Sequence, residues 1–127
     1  MNELTCLEAA GALWFAHLLT QMGTAGRAFD TAYLLSARDA QLPPKGVIWG
    51  RATRAFANYV ENLVLFAALD LGLIVTHRSA AIAATVWVIA RAIYLPLYIF
   101  NVTYARTVAA GTAMLCLAFM LWRLIGL

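Results

Sequence analysis

Charged residues are scarce in this sequence, and their scarcity excludes an ordinary soluble globular domain. Only 12% of the 127 residues are Asp, Glu, Lys or Arg, whereas 64% are hydrophobic. Soluble domains carry about 25% charged residues and about 45–50% apolar residues. The surplus of apolar surface therefore has to face a lipid bilayer rather than water.

Cysteines and basic tracts are also too few to support several common functions. Cys6 and Cys116 both lie within apolar segments and form no CxxC pair or His/Cys cluster. We therefore expect small buried side chains rather than metal ligands. The net charge of +3 is spread over the loops between the apolar segments. Because no soluble basic face results, the sequence predicts no nucleic-acid partner.

Long apolar runs are abundant, and there are four of them. They extend approximately over residues 4–22, 52–75, 79–100 and 104–125. Each has roughly the 20 residues that a helix needs to cross a bilayer, and a spanning segment must satisfy its own backbone hydrogen bonds. The sequence therefore predicts one all-α domain over residues 1–127. We expect an integral membrane four-helix bundle with a long first loop over residues 23–50.

The distribution of positive charge predicts the orientation of the four segments. Most basic residues lie in the first loop, at its exit or after the third segment, namely Arg27, Arg38, Lys45, Arg51 and Arg106. The opposite side has the acidic N-terminus, His77, Arg78 and Arg123. The positive-inside rule then places loops one and three in the cytoplasm and both termini outside.

The second and third segments each keep a set of polar residues that a lipid-facing helix would avoid. At 100° per residue, each set falls within an arc of about 80°, so each forms one polar stripe. The stripe of the second segment is Arg51, Arg54, Asn58 and Glu61. The stripe of the third segment has the same spacing and is Arg91, Tyr94, Tyr98 and Asn101.

In a hairpin that turns near Thr76, the two stripes lie level with one another. Arg54 is then level with Tyr98, and Glu61 is level with Arg91. The latter pair lies roughly 15–17 Å from the first-loop end, near the middle of the bilayer. A charge at that depth costs about 2.5–3.5 kcal/mol, so both stripes should face protein or water-filled space. We expect Glu61 and Arg91 to pair directly or through a bound group.

Two interpretations of the stripes are open at this point. A buried polar network can fix the register of helices without any chemistry. Alternatively, the stripes bind an anion, because their arginines and nearby Arg106 face a single stripe carboxylate, that of Glu61. The planar guanidinium fork suits carboxylates, and tyrosines add hydroxyl donors and flat apolar faces.

At these residues the sequence resembles the MAPEG family, the membrane-associated proteins of eicosanoid and glutathione metabolism. The second segment is similar to the family pattern Arg-Ala-x-x-x-Asn-x-x-Glu, at Arg54, Ala55, Asn58 and Glu61. The third segment is similar to the pattern Arg-x-x-Tyr-x-x-x-Tyr, at Arg91, Tyr94 and Tyr98. The length and the four-segment layout also match, so the resemblance, to bacterial-type members, covers essentially the whole chain.

The resemblance implies a homotrimer of four-helix subunits, which in a bacterium would lie in the plasma (inner) membrane. Glutathione would bind between subunits near the cytoplasmic side. Its implied contacts are Arg54, Asn58, Glu61, Arg91, Tyr94 and Tyr98, to which Arg51 is added as a member of the same stripe. The thiol-activating arginine of the family corresponds most nearly to Arg106. A nearby guanidinium favours the thiolate, which is the nucleophile. The implied function is a glutathione-dependent transferase or peroxidase that acts on lipophilic electrophiles.

Two other functions stay open on the sequence alone. The family also includes a lipid-binding member without transferase activity. Phe56 and Asn62 stand where glutathione-using members often carry glutamine and tyrosine, which keeps that non-catalytic alternative open. Small four-helix multidrug exporters use one acidic residue of the first helix for proton coupling. Glu8 is the candidate for that role, but an exporter would leave the arginine stripes unexplained.

Overall fold

The computed structural model describes residues 1–126, and within that range all regular structure is helical. The helices are α1 (Glu3–Ala28), the short α2 (Thr31–Leu35), α3 (Ile48–Val75), α4 (Ala81–Ile99) and α5 (Thr103–Ile125). Helices α3, α4 and α5 are long and apolar enough to cross a membrane. The expected all-α fold is confirmed, and three of the four expected spans meet this criterion.

Helix α1 differs from the expectation in its length and in its composition. It continues through Gly23 and Gly26 to Ala28, beyond the end that was expected near Met22. Each interior glycine costs about 1 kcal/mol relative to alanine, but tertiary packing supplies most helical stability in proteins. Here α1 packs mainly against α3 along its length. Polar residues such as Glu8 lower its hydropathy, and α1 is not among the three candidate spans.

Aromatic contacts fix the register of α1, α3 and α4 in the core. The rings of Phe66 and Trp87 are stacked, with centroids 3.9 Å apart. The Tyr59 hydroxyl donates to the carbonyl of Ala10 over 2.6 Å. His17 is fully buried and stacks on Tyr59 with centroids 4.3 Å apart. Such pairs contribute about 0.5–1.5 kcal/mol beyond the area they bury.

The two tight turns end α3 and α4 in the same hydrogen-bonded motif. After α3, the His77 N–H donates to the Ile74 carbonyl over 3.2 Å. The Arg78 N–H donates to the Leu73 carbonyl over 3.0 Å. This is the Schellman pattern, in which the residue after the C-cap is left-handed. His77 has φ 54° and Asn101, in the same place after α4, has φ 58°. Both turns reverse the chain within a few residues, so the helices on either side are antiparallel.

A polar cluster joins the ends of α1, α4 and α5 beside the α3–α4 turn. We call it the distal corner, and it consists of Glu3, Arg78, Ser79 and Arg123. The Glu3 carboxylate accepts from the Ser79 hydroxyl over 2.5 Å and from the next backbone N–H over 2.9 Å. Arg123 Nε donates to the Ser79 carbonyl over 3.1 Å. Arg78 Nη1 donates to the Leu124 carbonyl over 2.6 Å, where a cation also complements the helix dipole.

We predict that Glu3→Gln lowers the thermal unfolding temperature of the purified protein at about pH 7, because a charged acceptor is lost. Partial burial acts to raise the pKa of Glu3, but hydrogen bonds from Ser79 and Ala80 outweigh it and hold the pKa below the usual 4.5. A carboxylate whose pKa is lower in the folded than in the unfolded protein stabilises the fold at pH values above its unfolded-state pKa. This stabilisation is lost as the pH falls through the folded-state pKa. The difference from wild type should therefore shrink towards about pH 3.

The matched control is Glu8→Gln on the same helix. Glu8 is exposed and has no hydrogen-bond partner within residues 1–126, so its substitution should leave the unfolding temperature unchanged at either pH. A deficit in Glu3→Gln that is as large at about pH 3 as at about pH 7 would contradict the assigned role of the Glu3 carboxylate.

Candidate functional site

The residues predicted from the sequence lie on α3, on α4 and at the start of α5, and they differ in exposure. Arg91 and Tyr94 are buried, whereas Arg54 and Glu61 are exposed on the surface of the protomer. The others are half-buried, namely Arg51, Asn58, Tyr98 and Arg106. The structure thus brings part of the set into the interior and leaves part of it on one outer face of α3.

Arg91 is the centre of the buried part. It is 1% exposed, and its Nη2 donates to Asn58 Oδ1 over 2.8 Å. Its Cζ lies 4.4 Å from the ring centroid of Tyr94 and 5.5 Å from that of Tyr59. A desolvated cation over an aromatic face gains about 2 kcal/mol or more. Within residues 1–126, one amide oxygen and two rings therefore hold this guanidinium, and no carboxylate pairs with it.

Guanidinium groups and tyrosine rings alternate from Arg91 towards α5. The ring centroids of Tyr94 and Tyr98 are 5.6 Å apart, and Arg106 Cζ lies 4.6 Å from the Tyr98 centroid. Positions 91, 94 and 98 share one face of α4 because residues three and four apart are neighbours on a helix. The α4–α5 turn then brings Arg106 back onto that face. We call Arg91, Tyr94, Tyr98 and Arg106 the arginine–tyrosine row.

Arg91 and Glu61 do not pair directly in this structure. The Arg91 side chain reaches towards the C-terminal end of α4 and binds Asn58, which is level with Tyr94 in the hairpin. Long arginine stems carry the charged head away from the level of their own Cα atom towards a wetter end of the helix. Glu61 lies exposed and forms no ion pair within residues 1–126.

Arg51 and Arg54 occupy the first turns of α3 and make different contacts. Arg51 Nη1 donates to the Ile99 carbonyl over 3.0 Å, at the end of α4 where carbonyls lack helical partners. Arg54 folds back along its helix, so that its guanidinium lies over Gly50. A side chain at position 50 would place its Cβ only 3.2 Å from Arg54 Nη1. Arg51 therefore ties α3 to α4, whereas Arg54 leaves its charged group at the surface.

The site carries an excess of unpaired positive charge. The ion pair in the described part of the chain joins Lys45 to Asp30 in the first loop, over 3.1 Å. None of the site arginines approaches a carboxylate closely enough to pair within residues 1–126. The lone site carboxylate is that of Glu61, on the outer face of α3. Chemically, the arrangement is suited to an anionic ligand.

Asp70 was not identified as an interior residue from the sequence. It lies about 100° from Arg51 around α3, off the polar stripe and near a helix end, a position that by itself indicates contact with water. In the structure it is fully buried, and neither carboxylate oxygen has a hydrogen-bond partner among residues 1–126. It shares its buried face with Phe66 and Leu73. A lone Asp in an apolar run was a visible signal, but its burial depends on how the helices pack.

Phe56 and Asn62, which depart from the family pattern, do not enter the arginine–tyrosine row. The Phe56 ring packs edge-on against Trp14 of α1, with centroids 5.6 Å apart. Asn62 Nδ2 donates back to the Asn58 carbonyl over 2.8 Å. The row is therefore built without either side chain. Among the described residues, no group of three or more His, Cys, Asp or Glu is placed to hold a metal ion.

Fold and site together define an all-α integral membrane protein with a buried cationic site. A family model described as MAPEG family matches residues 5–126, nearly the whole chain. The chain therefore belongs to the MAPEG family, whose membrane proteins are associated with glutathione-related chemistry. No curated protein and no solved structure matches it.

We predict that Asn58→Ala destabilises the protein, because it removes the hydrogen-bond acceptor of a buried cation. A hydrogen bond to a charged group contributes about 1.5–3 kcal/mol. The measurement is thermal unfolding in detergent. Asn62→Ala is the matched control, since the Asn62 amide bonds only to a carbonyl of its own helix. Equal losses in the two variants would contradict the central role of the Asn58–Arg91 contact.

We predict that Asp70→Asn leaves the unfolding temperature unchanged or raises it. The wild-type carboxylate makes no hydrogen bond in the described part of the chain, so the substitution removes none. A neutral amide also costs less to bury than an unpaired charge. A clear fall in the unfolding temperature, measured beside that of Asn58→Ala, would show that Asp70 has a partner in the assembled protein.

Proposed function

We propose that this protein is a membrane-bound, glutathione-dependent transferase or peroxidase that acts on lipophilic electrophiles. The observation that carries the proposal is the arginine–tyrosine row, which is largely buried, cationic and without a paired carboxylate in the described residues. Membership of the MAPEG family supports glutathione-related chemistry at the level of the family.

The chemistry of glutathione fits the groups that the site offers. The tripeptide carries two carboxylates, one amine, two peptide bonds and a thiol. Arg51, Arg54 and Arg91 are candidates for the carboxylates, since guanidinium groups bind them as planar forks. Glu61 is the candidate for the amine. Asn58 is a candidate for the peptide groups. So are the hydroxyls of Tyr94 and Tyr98, and neither hydroxyl makes a hydrogen bond within residues 1–126.

The exposed face of α3 supports an oligomeric site. Arg54 and Glu61 lie on the outside of the protomer, although ionisable residues within spans almost always face a protein interior or a water-filled cavity. We infer that another copy of the chain covers this face, in a homotrimer with glutathione between neighbouring subunits. The exposed groups would then complete the site that the buried row begins.

We further infer that α1 is the fourth span and that the row lies towards the cytoplasm. Helix α1 is about 39 Å long at 1.5 Å per residue, which exceeds the ~30 Å core of a bilayer. It runs beside α3 from the Tyr59–Ala10 bond to the contact between Gln21 and Thr53, at 3.3 Å. The basic first loop and Arg106 support the cytoplasmic position of that end.

In the proposed mechanism, Arg106 stabilises the glutathione thiolate. Tyr98 holds the Arg106 guanidinium at the end of the row, and the guanidinium makes no hydrogen bond to residues 1–126. A cation beside the sulfur favours the thiolate over the thiol of glutathione. The thiolate is the nucleophile that attacks the electrophile. With an alkyl or aryl electrophile, a carbon–sulfur bond forms as the leaving group departs with its electron pair. The electrophile reaches the sulfur from the surrounding lipid.

We predict that the purified protein binds glutathione and that Arg54→Ala and Glu61→Gln weaken binding. Loss of one charged hydrogen bond of about 1.5–3 kcal/mol corresponds to roughly 10–100-fold in Kd. Arg106→Ala should retain binding and lose turnover of a lipophilic chloronitrobenzene, because it removes thiolate stabilisation rather than tripeptide contacts. Calorimetry measures the binding, and the absorbance of the thioether product measures the turnover.

The matched control is Arg38→Ala, because the side chain of this first-loop arginine bonds, within residues 1–126, only to the nearby Leu34 carbonyl. It should change neither binding nor turnover. Absence of glutathione binding by the wild type at millimolar concentration would overturn the proposal and favour the non-catalytic, lipid-binding alternative. Transport that is abolished by Glu8→Gln would instead favour the exporter.

A further inference from the structure

An apolar groove in two adjoining parts lies between α4 and α5, and the proposed function does not use it. Its wider part has a volume of about 600 Å³ and reaches from Ser79 and Arg123 at the distal corner to Thr112. A second part of about 470 Å³ continues from Val86 and Thr112 to Leu97 and Ala105. The two parts share Val86 and Thr112 as lining residues. We call the whole the α4–α5 groove.

Small side chains on both helices create the groove, and large ones flank it. Ala83 and Ala90 line it from α4, and Ala109 lines it from α5. Ile82 and Leu115, at its sides, are 84% and 73% exposed. An empty gap forfeits the dispersion contacts of its walls, and an apolar wall offers water no hydrogen-bond partners. In a bilayer, the acyl chains of neighbouring lipids are available to fill this gap.

The end of the groove at the distal corner is cationic. Arg123 lines this end, and only its Nε is engaged, by the Ser79 carbonyl. Its two terminal nitrogens have no partner among residues 1–126. Arg78 lies beside it, against the last turn of α5. The neighbouring carboxylate, Glu3, already accepts two hydrogen bonds. Trp122 lines the same end and is 45% exposed, as expected for an aromatic residue at the membrane–water interface.

We propose that the α4–α5 groove binds an anionic phospholipid, with one acyl chain between the helices and the phosphate against Arg123 and Arg78. Charge complementarity favours this occupant. A guanidinium fork matches a phosphate, and the two terminal nitrogens of Arg123 have no other partner among residues 1–126. The α4–α5 groove also matches the layout of a phospholipid. One end of the groove, at the helix ends, is charged like a headgroup site, and the rest is apolar like an acyl-chain site.

The lipid would act on the α4–α5 hairpin as a whole. Its chain would fill the gap from the distal corner towards Leu97 and Ala105, which are the sequence neighbours of Tyr98 and Arg106. It would therefore hold the two helices that carry the arginine–tyrosine row at a fixed separation. This inference does not depend on the identity of the ligand at the row.

The test compares phosphatidylglycerol with phosphatidylcholine of the same acyl chains, added to the detergent-purified protein. Native mass spectrometry measures lipid retention, and thermal unfolding measures stabilisation. The wild type should retain phosphatidylglycerol more strongly and unfold at a higher temperature in its presence. Since one arginine near a membrane surface contributes about 1 kcal/mol towards an anionic lipid, Arg123→Gln should reduce this preference roughly fivefold. Arg123→Lys should preserve most of it.

A groove-filling variant tests the acyl-chain part separately. Thr112→Phe obstructs the point that both parts of the groove share, and it should reduce retention of both lipids. Ala118→Phe is the matched control, because Ala118 is exposed on α5 and lines neither part. Thermal unfolding of the same variants without added lipid reports whether the fold is intact.

Two results would overturn the inference. One is equal retention of phosphatidylglycerol by the wild type, Arg123→Gln and Thr112→Phe. The other is efficient photo-cross-linking to another copy by a benzophenone maleimide attached at Ile82→Cys in a Cys6→Ser, Cys116→Ser background, because a second copy would then occupy the groove whichever of its faces lay there. Absence of the cross-link, together with the lipid preference described above, would support the phospholipid.

Discussion

A single buried cation constrains how α3 and α4 meet. The Arg91 guanidinium has no carboxylate partner in the described residues, so its stabilisation comes from Asn58 and from the rings of Tyr59 and Tyr94. An uncompensated buried charge is costly, and these contacts therefore restrict both the separation and the rotation of the two helices. Tyr94 in turn places Tyr98, and Tyr98 places Arg106. The geometry of the whole row follows from the way one charge is accommodated.

The helices could be predicted because runs of apolar residues and helical periodicity are local properties. Long apolar runs indicated four helices, and the ends of α3 and α4 fall close to the expected turns. The end of α1 was less predictable. Gly23 and Gly26 indicate a break by intrinsic propensity, but α1 continues past them because α3 packs alongside. The distal corner joins residues from both ends of the chain, and such long-range contacts leave no local signal.

The site was predictable as a set of residues and less so as a set of contacts. Polar residues on an apolar helix are conspicuous, and their shared face follows from 100° per residue. Which atoms meet depends on side-chain reach. Arg91 binds Asn58 rather than Glu61, and Arg51 reaches a backbone carbonyl at the end of α4. The burial of Asp70 could not be predicted, because it follows from the packing of neighbouring helices rather than from the position of Asp70 on its own helix.

The dependence of Arg91 on α3 also has a consequence for biogenesis. The protein groups that shield its guanidinium include Asn58 and Tyr59, which belong to the helix synthesised immediately before α4. Helix α4 entering the membrane alone would shield this charge only with Tyr94 of its own helix, whereas a preformed hairpin would add Asn58 and Tyr59. The short turn at His77, where φ is 54°, holds the two helices adjacent in the folded protein. The order of the chain thus places the solvating helix in the translocation machinery before the charge that needs it emerges from the ribosome.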